Sequence, residues 1–130
     1  MQDICTKRHV AHNLHLHLVF VTKYRKKVFS DLMIERLKYH FLRVCKDFDC
    51  RLIDANGEKD HVHLLVAPMP HTTPSKLVNS LKGVSSRMMR KEFPELQKYY
   101  WKGGLWSPCY FIASCEGAPL ETVKEYIQNQ

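Results

Sequence analysis

Two histidines, His61 and His63, stand two residues apart in the run Glu58-Lys59-Asp60-His61-Val62-His63-Leu64-Leu65-Val66. In a strand, side chains i and i+2 share a face. His61, His63 and Leu65 then line one side, and Val62, Leu64 and Val66 the other. The two imidazoles, roughly 6.5–7 Å apart at their Cα atoms, can converge on one metal ion. The same spacing also describes a pair of hydrogen-bonded, half-buried histidines, and it recurs in His15-Leu16-His17. Spacing alone does not choose between these readings. Near the C-terminus, Tyr126 and Gln130 are four residues apart and share one face of a helix. With His61 and His63 they make a coherent set: two imidazoles and an amide oxygen as ligands, with a phenol beside them. A phenol is a poor nucleophile at its free pKa of about 10. A divalent ion that polarises a phosphate and favours the phenolate would activate it. Imidazole and amide ligands suit Mg²⁺ or Mn²⁺ less well than carboxylates do. Metal binding is therefore expected to be weak until an oxygen of the bound phosphate joins the set.

The elements that must position these groups follow from periodicity. Residues 12–22 alternate as a strand, with Leu14, Leu16, Leu18 and Phe20 on one face and His15, His17, Val19 and Val21 on the other. Lys23-Tyr24-Arg25-Lys26-Lys27 follows, four cations around one aromatic: a solvated loop, or a phosphate contact in which Tyr24 stacks on a base. Ser30 or Asp31 caps a helix over about 31–48 whose Ile34, Leu37, Phe41, Val44, Cys45 and Phe48 face a sheet. A strand over about 50–56 reaches Asn56-Gly57, a hairpin signal, which makes the His61/His63 strand its antiparallel neighbour. Thr73 and Pro74 open a second helix over about 74–92, apolar at Leu77, Leu81, Val84 and Met88 and basic at Lys76, Lys82, Arg87, Arg90 and Lys91. The aromatic stretch Tyr99–Trp106 reads as a loop that stacks on bases or packs onto the core. Cys109 to Ser114 reads as a last strand, and Ala118 to Gln130 as a terminal helix. The order strand, helix, strand, strand, helix, strand, helix is an α+β, ferredoxin-like split βαβ sandwich. It has a four-stranded antiparallel sheet with helices on one face and an extra C-terminal helix.

Composition narrows the partners. At 130 residues the chain has the length of a single domain, and its 45% hydrophobic and 25% charged residues are those of a globular protein. No apolar run approaches the roughly 20 residues of a membrane helix, and the N-terminus lacks a signal-peptide layout, so no membrane association is expected. Five scattered cysteines without a Cys-x-x-Cys pair indicate neither a zinc ribbon nor a disulfide framework. A reducing cytoplasm fits best. A formal net charge of +7, from 20 Lys+Arg against 13 Asp+Glu, favours a polyanion, most often nucleic acid.

Several segments in order resemble the single-tyrosine HUH transposases of the insertion-sequence-200 and insertion-sequence-605 type. They are His17–Phe29, Asp60–Val66, Lys82–Arg87, Leu105–Phe111 and Tyr126–Gln130. The resemblance aligns the family's histidine pair with His61 and His63, not with His15 and His17. It implies that residues 1–130 form a single catalytic domain. In it Tyr126 attacks single-stranded DNA, leaving a 5′-phosphotyrosine and a free 3′-OH, while His61, His63 and Gln130 hold Mg²⁺ or Mn²⁺ on the scissile phosphate. It also implies a homodimer whose strands join into one sheet, recognition of DNA hairpins at element ends, no nucleotide cofactor, and a cytoplasmic protein that is nucleoid-associated when bound to DNA. Lys23, Tyr24, Arg25, Lys26 and Lys27, with Lys82, Arg87 and Arg90, are the candidate DNA contacts. Members of the family commonly continue past the tyrosine helix, so Gln130, the last residue here, is expected to be the least anchored ligand. Two other readings compete: a non-catalytic hairpin or nucleic-acid-binding protein with core histidines, and a domesticated relative that nicks without mobilising an element. RNA-recognition modules share the fold but need an aromatic-rich signature on the central strands, which Asp60-His61-Val62-His63-Leu64 is not.

Overall fold

A computed structural model describes residues 14–100 and 104–114. The chain runs β1 (Leu16–Thr22), a 3₁₀ turn (Lys23–Arg25), α1 (Asp31–Asp47), β2 (Arg51–Glu58), β3 (His61–Ala67) and α2 (Pro74–Glu92). A second 3₁₀ turn (Pro94–Leu96), α3 (Gln97–Tyr100) and β4 (Trp106–Ser114) complete it. The strands form one sheet in the order β2-β3-β1-β4, and all three pairings are antiparallel. This is the expected ferredoxin-like sandwich, with the histidine strand β3 and β1 at its centre. The expected terminal helix, with Tyr126 and Gln130, lies outside the described residues, as does Trp101 of the aromatic stretch.

Alternation along the strands builds the core. Leu16, Leu18 and Phe20 of β1 and Val62, Leu64 and Val66 of β3 are buried, against Leu37, Phe41 and Val44 of α1 and Leu77, Val78 and Leu81 of α2. Phe20, Phe29, Phe41 and Trp106 meet there as tilted and edge-on rings, the arrangement their quadrupoles favour. The Ser30 hydroxyl caps α1 by accepting from the Met33 amide at 3.2 Å. At α2, Pro74 takes the first turn but Thr73 offers no side-chain cap. The apolar stripe of α2 departs from expectation at its C-terminal half: Met89 is fully buried, and Ser85 and Ser86 are buried with it. The reason is polar. Ser85 Oγ accepts from the Trp106 indole at 2.9 Å and Ser86 Oγ from the Leu105 amide at 2.9 Å, so the hydroxyls satisfy donors that enter the core with β4. Trp106 and Tyr100 are thus core residues, and β4 begins three residues earlier than the pattern indicated.

The hairpin is also corrected. Asn56 and Gly57 do not form the turn: β2 continues to Glu58, paired with His61, and Lys59-Asp60 makes the reversal. Gly57 is needed for space, since a Cβ there would lie 2.7 Å from the His61 carbonyl oxygen and 3.0 Å from Ile34 Cδ1. The Lys59 carbonyl accepts from the Val28 and Phe29 amides and the Asp60 carbonyl from the Thr22 amide. These bonds clamp the hairpin tip to the segment after β1.

Candidate functional site

The sheet face away from the helices carries the site. Register places Val21 opposite His61, Val19 opposite His63 and Phe111, and His17 opposite Leu65 and Ala113. A cleft of about 290 Å³ opens there, lined by His17, Val19, Val21, Arg25, His61, His63 and residues 111–113. His61 and His63 therefore share a face, as their spacing required, with ring centres 4.9 Å apart and planes nearly perpendicular.

Each histidine is held through Nδ1. His61 Nδ1 lies 2.8 Å from Asp60 Oδ1, and Asp60 Oδ2 lies 3.8 Å from Arg25 Nε. The bond to His61, followed by the charges around it, holds the Asp60 carboxyl below the ordinary aspartate range. An ionised Asp60 accepts only, so His61 donates from Nδ1, which turns Nε2 toward the cleft. His63 Nδ1 lies 3.3 Å from Nε2 of His17, a residue of β1 that is almost wholly buried. The two residues are diagonal neighbours across β1 and β3, within reach of long side chains. Burial lowers the pKa of His63, with repulsion from the charged forms of His61 and His17 adding to it, and burial lowers that of His17. Both shifts favour the neutral imidazole, which is the state a metal ligand needs. Imidazole nitrogens backed by a carboxylate or a second acceptor are the ordinary support of metal-binding histidines, so the donor set fits a divalent ion. Among the described residues, no three His, Cys, Asp or Glu are grouped to hold one; His61 and His63 contribute two nitrogens.

The basic turn borders this cleft. Tyr24 and Arg25 both take left-handed backbone, at φ 65° and 53°, a conformation that costs roughly 1–2 kcal/mol per non-glycine residue. Its surroundings impose it. Thr22 Oγ1 donates to the Lys26 carbonyl at 2.8 Å, the Lys23 amide to the Leu105 carbonyl at 2.9 Å, and the Tyr100 hydroxyl to the Lys23 carbonyl at 3.1 Å. Tyr24 is left 76% exposed, and Arg25, Lys26 and Lys27 are exposed with it. A second cavity of about 350 Å³, walled by Tyr24, Arg25, Tyr110 and Phe111 among others, adjoins the first through shared residues Val21, Arg25 and Phe111.

The cations of α2 lie on the helical side of the sheet, apart from the cleft. Lys82 Nζ donates to the Ser107 carbonyl at 2.7 Å and stands over the Tyr110 ring, which ties α2 to β4; burial lowers its pKa. Arg90 donates to the Ser86 and Tyr100 carbonyls, and Arg87 is exposed. The residues that spacing alone did not bring to the site are His17, which shares the cleft instead of competing for it, and Asp60. The strand register, once drawn, is the signal that finds His17.

Residues 10–130 match the family described as Transposase IS200 like. The chain belongs to the IS200-like transposases. It is 30% identical over 123 residues to the ISDra2 transposase TnpA of Deinococcus radiodurans, covering 95% of this chain and 88% of that protein. It is 27% identical over 130 residues to the transposase for insertion sequence element IS200 of Salmonella typhimurium, covering 100% and 85%. A crystal structure of a Deinococcus radiodurans R1 protein assigned as a transposase superposes with a TM-score of 0.72 at 32% identity over 89% of each chain. A REP-associated tyrosine transposase bound to a REP hairpin shares the fold, with a TM-score of 0.55 at 12% identity over 91% of this chain and 62% of that one. No helix among the described residues is long and apolar enough to cross a membrane.

Proposed function

We propose that this transposase cleaves and rejoins single-stranded DNA at insertion-element ends through a tyrosine nucleophile. The observation that carries the reading is the convergence of His61 and His63, each held through Nδ1, in a cleft edged by Arg25. His61 and His63, with Gln130, would hold Mg²⁺ or Mn²⁺, which when bound neutralises charge on the scissile phosphate. The Tyr126 oxygen attacks phosphorus, the bond to the 3′ oxygen breaks, and the phenol gives up its proton. The products are a 5′-phosphotyrosine and a free 3′-OH. The new ester conserves the bond energy for rejoining, so no nucleotide cofactor is required. Asp60 keeps His61 oriented, and Arg25 stands where it can meet a phosphate while ion-paired with Asp60.

The DNA follows the basic turn, where Lys23, Arg25, Lys26 and Lys27 meet phosphates and the exposed Tyr24 ring stacks on an unpaired base. Arg87 and the neighbouring cations of α2 offer a separate surface for hairpin duplex. The hairpin bound to the REP-associated transposase, a protein of the same fold, supports that partner. A homodimer is supported by β4, which among the described residues is an edge strand bonded only to β1 with Phe111 75% and Ile112 43% exposed, since unprotected edges pair. Residues 1–130 act as one catalytic domain.

His61→Ala tests the metal reading: Mg²⁺-dependent cleavage of hairpin-bearing single-stranded DNA is lost while the urea midpoint stays close to wild type. An unfolded variant, or unchanged cleavage, would instead make His61 a core or bystander residue.

A further inference from the structure

We propose that His17 is a positioning residue that fixes the tautomer of His63, so that His63 presents Nε2 with its lone pair to the cleft. The inference rests on the reading of His63 as a ligand and extends it to a residue of another strand. His17 and His63 have ring centres 5.6 Å apart and planes 17° apart. Their nitrogens are 3.3 Å apart. The centre-to-centre distance exceeds the N···N distance by about two imidazole radii, so the nitrogens lie along the line joining the ring centres. The rings meet edge to edge and nearly coplanar, which is the alignment of an N–H···N hydrogen bond and not of face stacking.

One ring must donate and the other accept. If His63 donates from Nδ1, its Nε2 is an unprotonated ligand nitrogen. If His17 donates from Nε2, His63 carries its proton on Nε2 and cannot bind a metal there. The first arrangement makes His63 the twin of His61, whose Nδ1 is committed to Asp60 at 2.8 Å. The supports differ in kind. Asp60 is an anion at the hairpin tip, beside Arg25, whereas His17 is an imidazole held at 3% exposure in a central strand. The site therefore draws on a third histidine, which meets His63 and comes from the other His-x-His of the sequence.

Long-range ¹H–¹⁵N correlation spectra of histidine-labelled, metal-free protein read the tautomer directly. The wild type is expected to show His63 protonated on Nδ1 with a lone-pair Nε2. His17→Phe, which keeps a planar ring without an acceptor, is expected to shift His63 toward the Nε2-protonated form and to weaken Mn²⁺ binding, read by electron paramagnetic resonance, by about 10–100-fold. His17→Gln, which restores an acceptor oxygen, recovers part of both. Because the wild-type spectrum needs no variant, a folding defect in His17→Phe does not decide the matter. His63 protonated on Nε2 in the wild type, or an unchanged His63 tautomer in a folded His17→Phe, overturns the proposal. A wild type that binds no Mn²⁺ but shows the expected tautomer defeats the metal reading of His63 and leaves the role of His17 standing.

Discussion

Replacing Gly57 with alanine presses on the strand that carries both site histidines. Gly57 pairs with Val62, and a Cβ added to it would sit 2.7 Å from the His61 carbonyl oxygen, 2.8 Å from Val62 Cγ1 and 3.0 Å from Ile34 Cδ1. The tip of Ile34 can yield by rotation. The His61 oxygen is main chain and moves only if the strand moves, taking the imidazole with it. Overpacking of this kind costs typically about 1–3 kcal/mol. Alanine returns about 0.4–1 kcal/mol by restricting the unfolded chain. Steric cost wins, and a net loss of about 1–2 kcal/mol is expected, a fall of roughly 3–10 °C in Tm for a chain of this size. Paired urea and thermal melts measure the stability, and Mn²⁺ titration on the same samples reads the site, where affinity should fall several-fold. Equal or higher stability together with unchanged Mn²⁺ affinity would refute the claim that Gly57 is required by close approach to β3.

Two further substitutions separate fold from function. Arg36 donates two bonds to Glu92, at 2.9 and 3.0 Å, and His40 Nε2 stands 3.0 Å from the same carboxylate. The bond from Arg36 leads the causes that pull Glu92 down to about 2 from an ordinary 4.5. Its stabilisation, about 1–2 kcal/mol after solvent screening, is complete above the ordinary glutamate range and fades as pH falls through that of the folded state. The urea midpoints of wild type and Glu92→Gln should therefore differ by a constant amount from pH 7 to 5 and converge toward pH 2; a gap that persists at pH 2 would contradict this. Tyr24→Gly relieves a left-handed backbone at φ 65° and should raise stability by up to about 1 kcal/mol. The same change removes a stacking surface and should weaken single-stranded DNA binding by about 1–3 kcal/mol. Effects of the same sign in a melt and a fluorescence anisotropy titration would show that the turn is structural only.

The parts of the fold that periodicity fixes were legible in the sequence. Two-residue alternation in β1 and β3 and the three-four spacing of α1 left one arrangement of faces, and the element order left one sheet topology. Structure departs from local pattern where propensity meets tertiary demand. Asn56-Gly57 carries the chemistry of a turn, but Ile34 and the His61 carbonyl crowd that position, so the glycine serves packing and the reversal moves to Lys59-Asp60. Ser85 and Ser86 look like the polar face of α2, yet their hydroxyls are spent on buried donors of Leu105 and Trp106. Lys82 looks like a free cation until β4 supplies the carbonyls that hold it. At the site, the i, i+2 rule placed His61 and His63 correctly. Treating the two His-x-His pairs as rivals hid His17, because its contact with His63 is a cross-strand diagonal that depends on register rather than on spacing within one strand.

Covalent attack by Tyr126 is read by incubating the protein with end-labelled single-stranded DNA carrying element-end hairpins and Mg²⁺, then separating the products on a denaturing gel. A slow-moving covalent protein–DNA band is expected, absent with EDTA and in Tyr126→Phe, although that variant still shifts the hairpin on a native gel. A covalent band that survives in Tyr126→Phe, or hairpin binding by the wild type with no covalent band, would contradict attack by Tyr126.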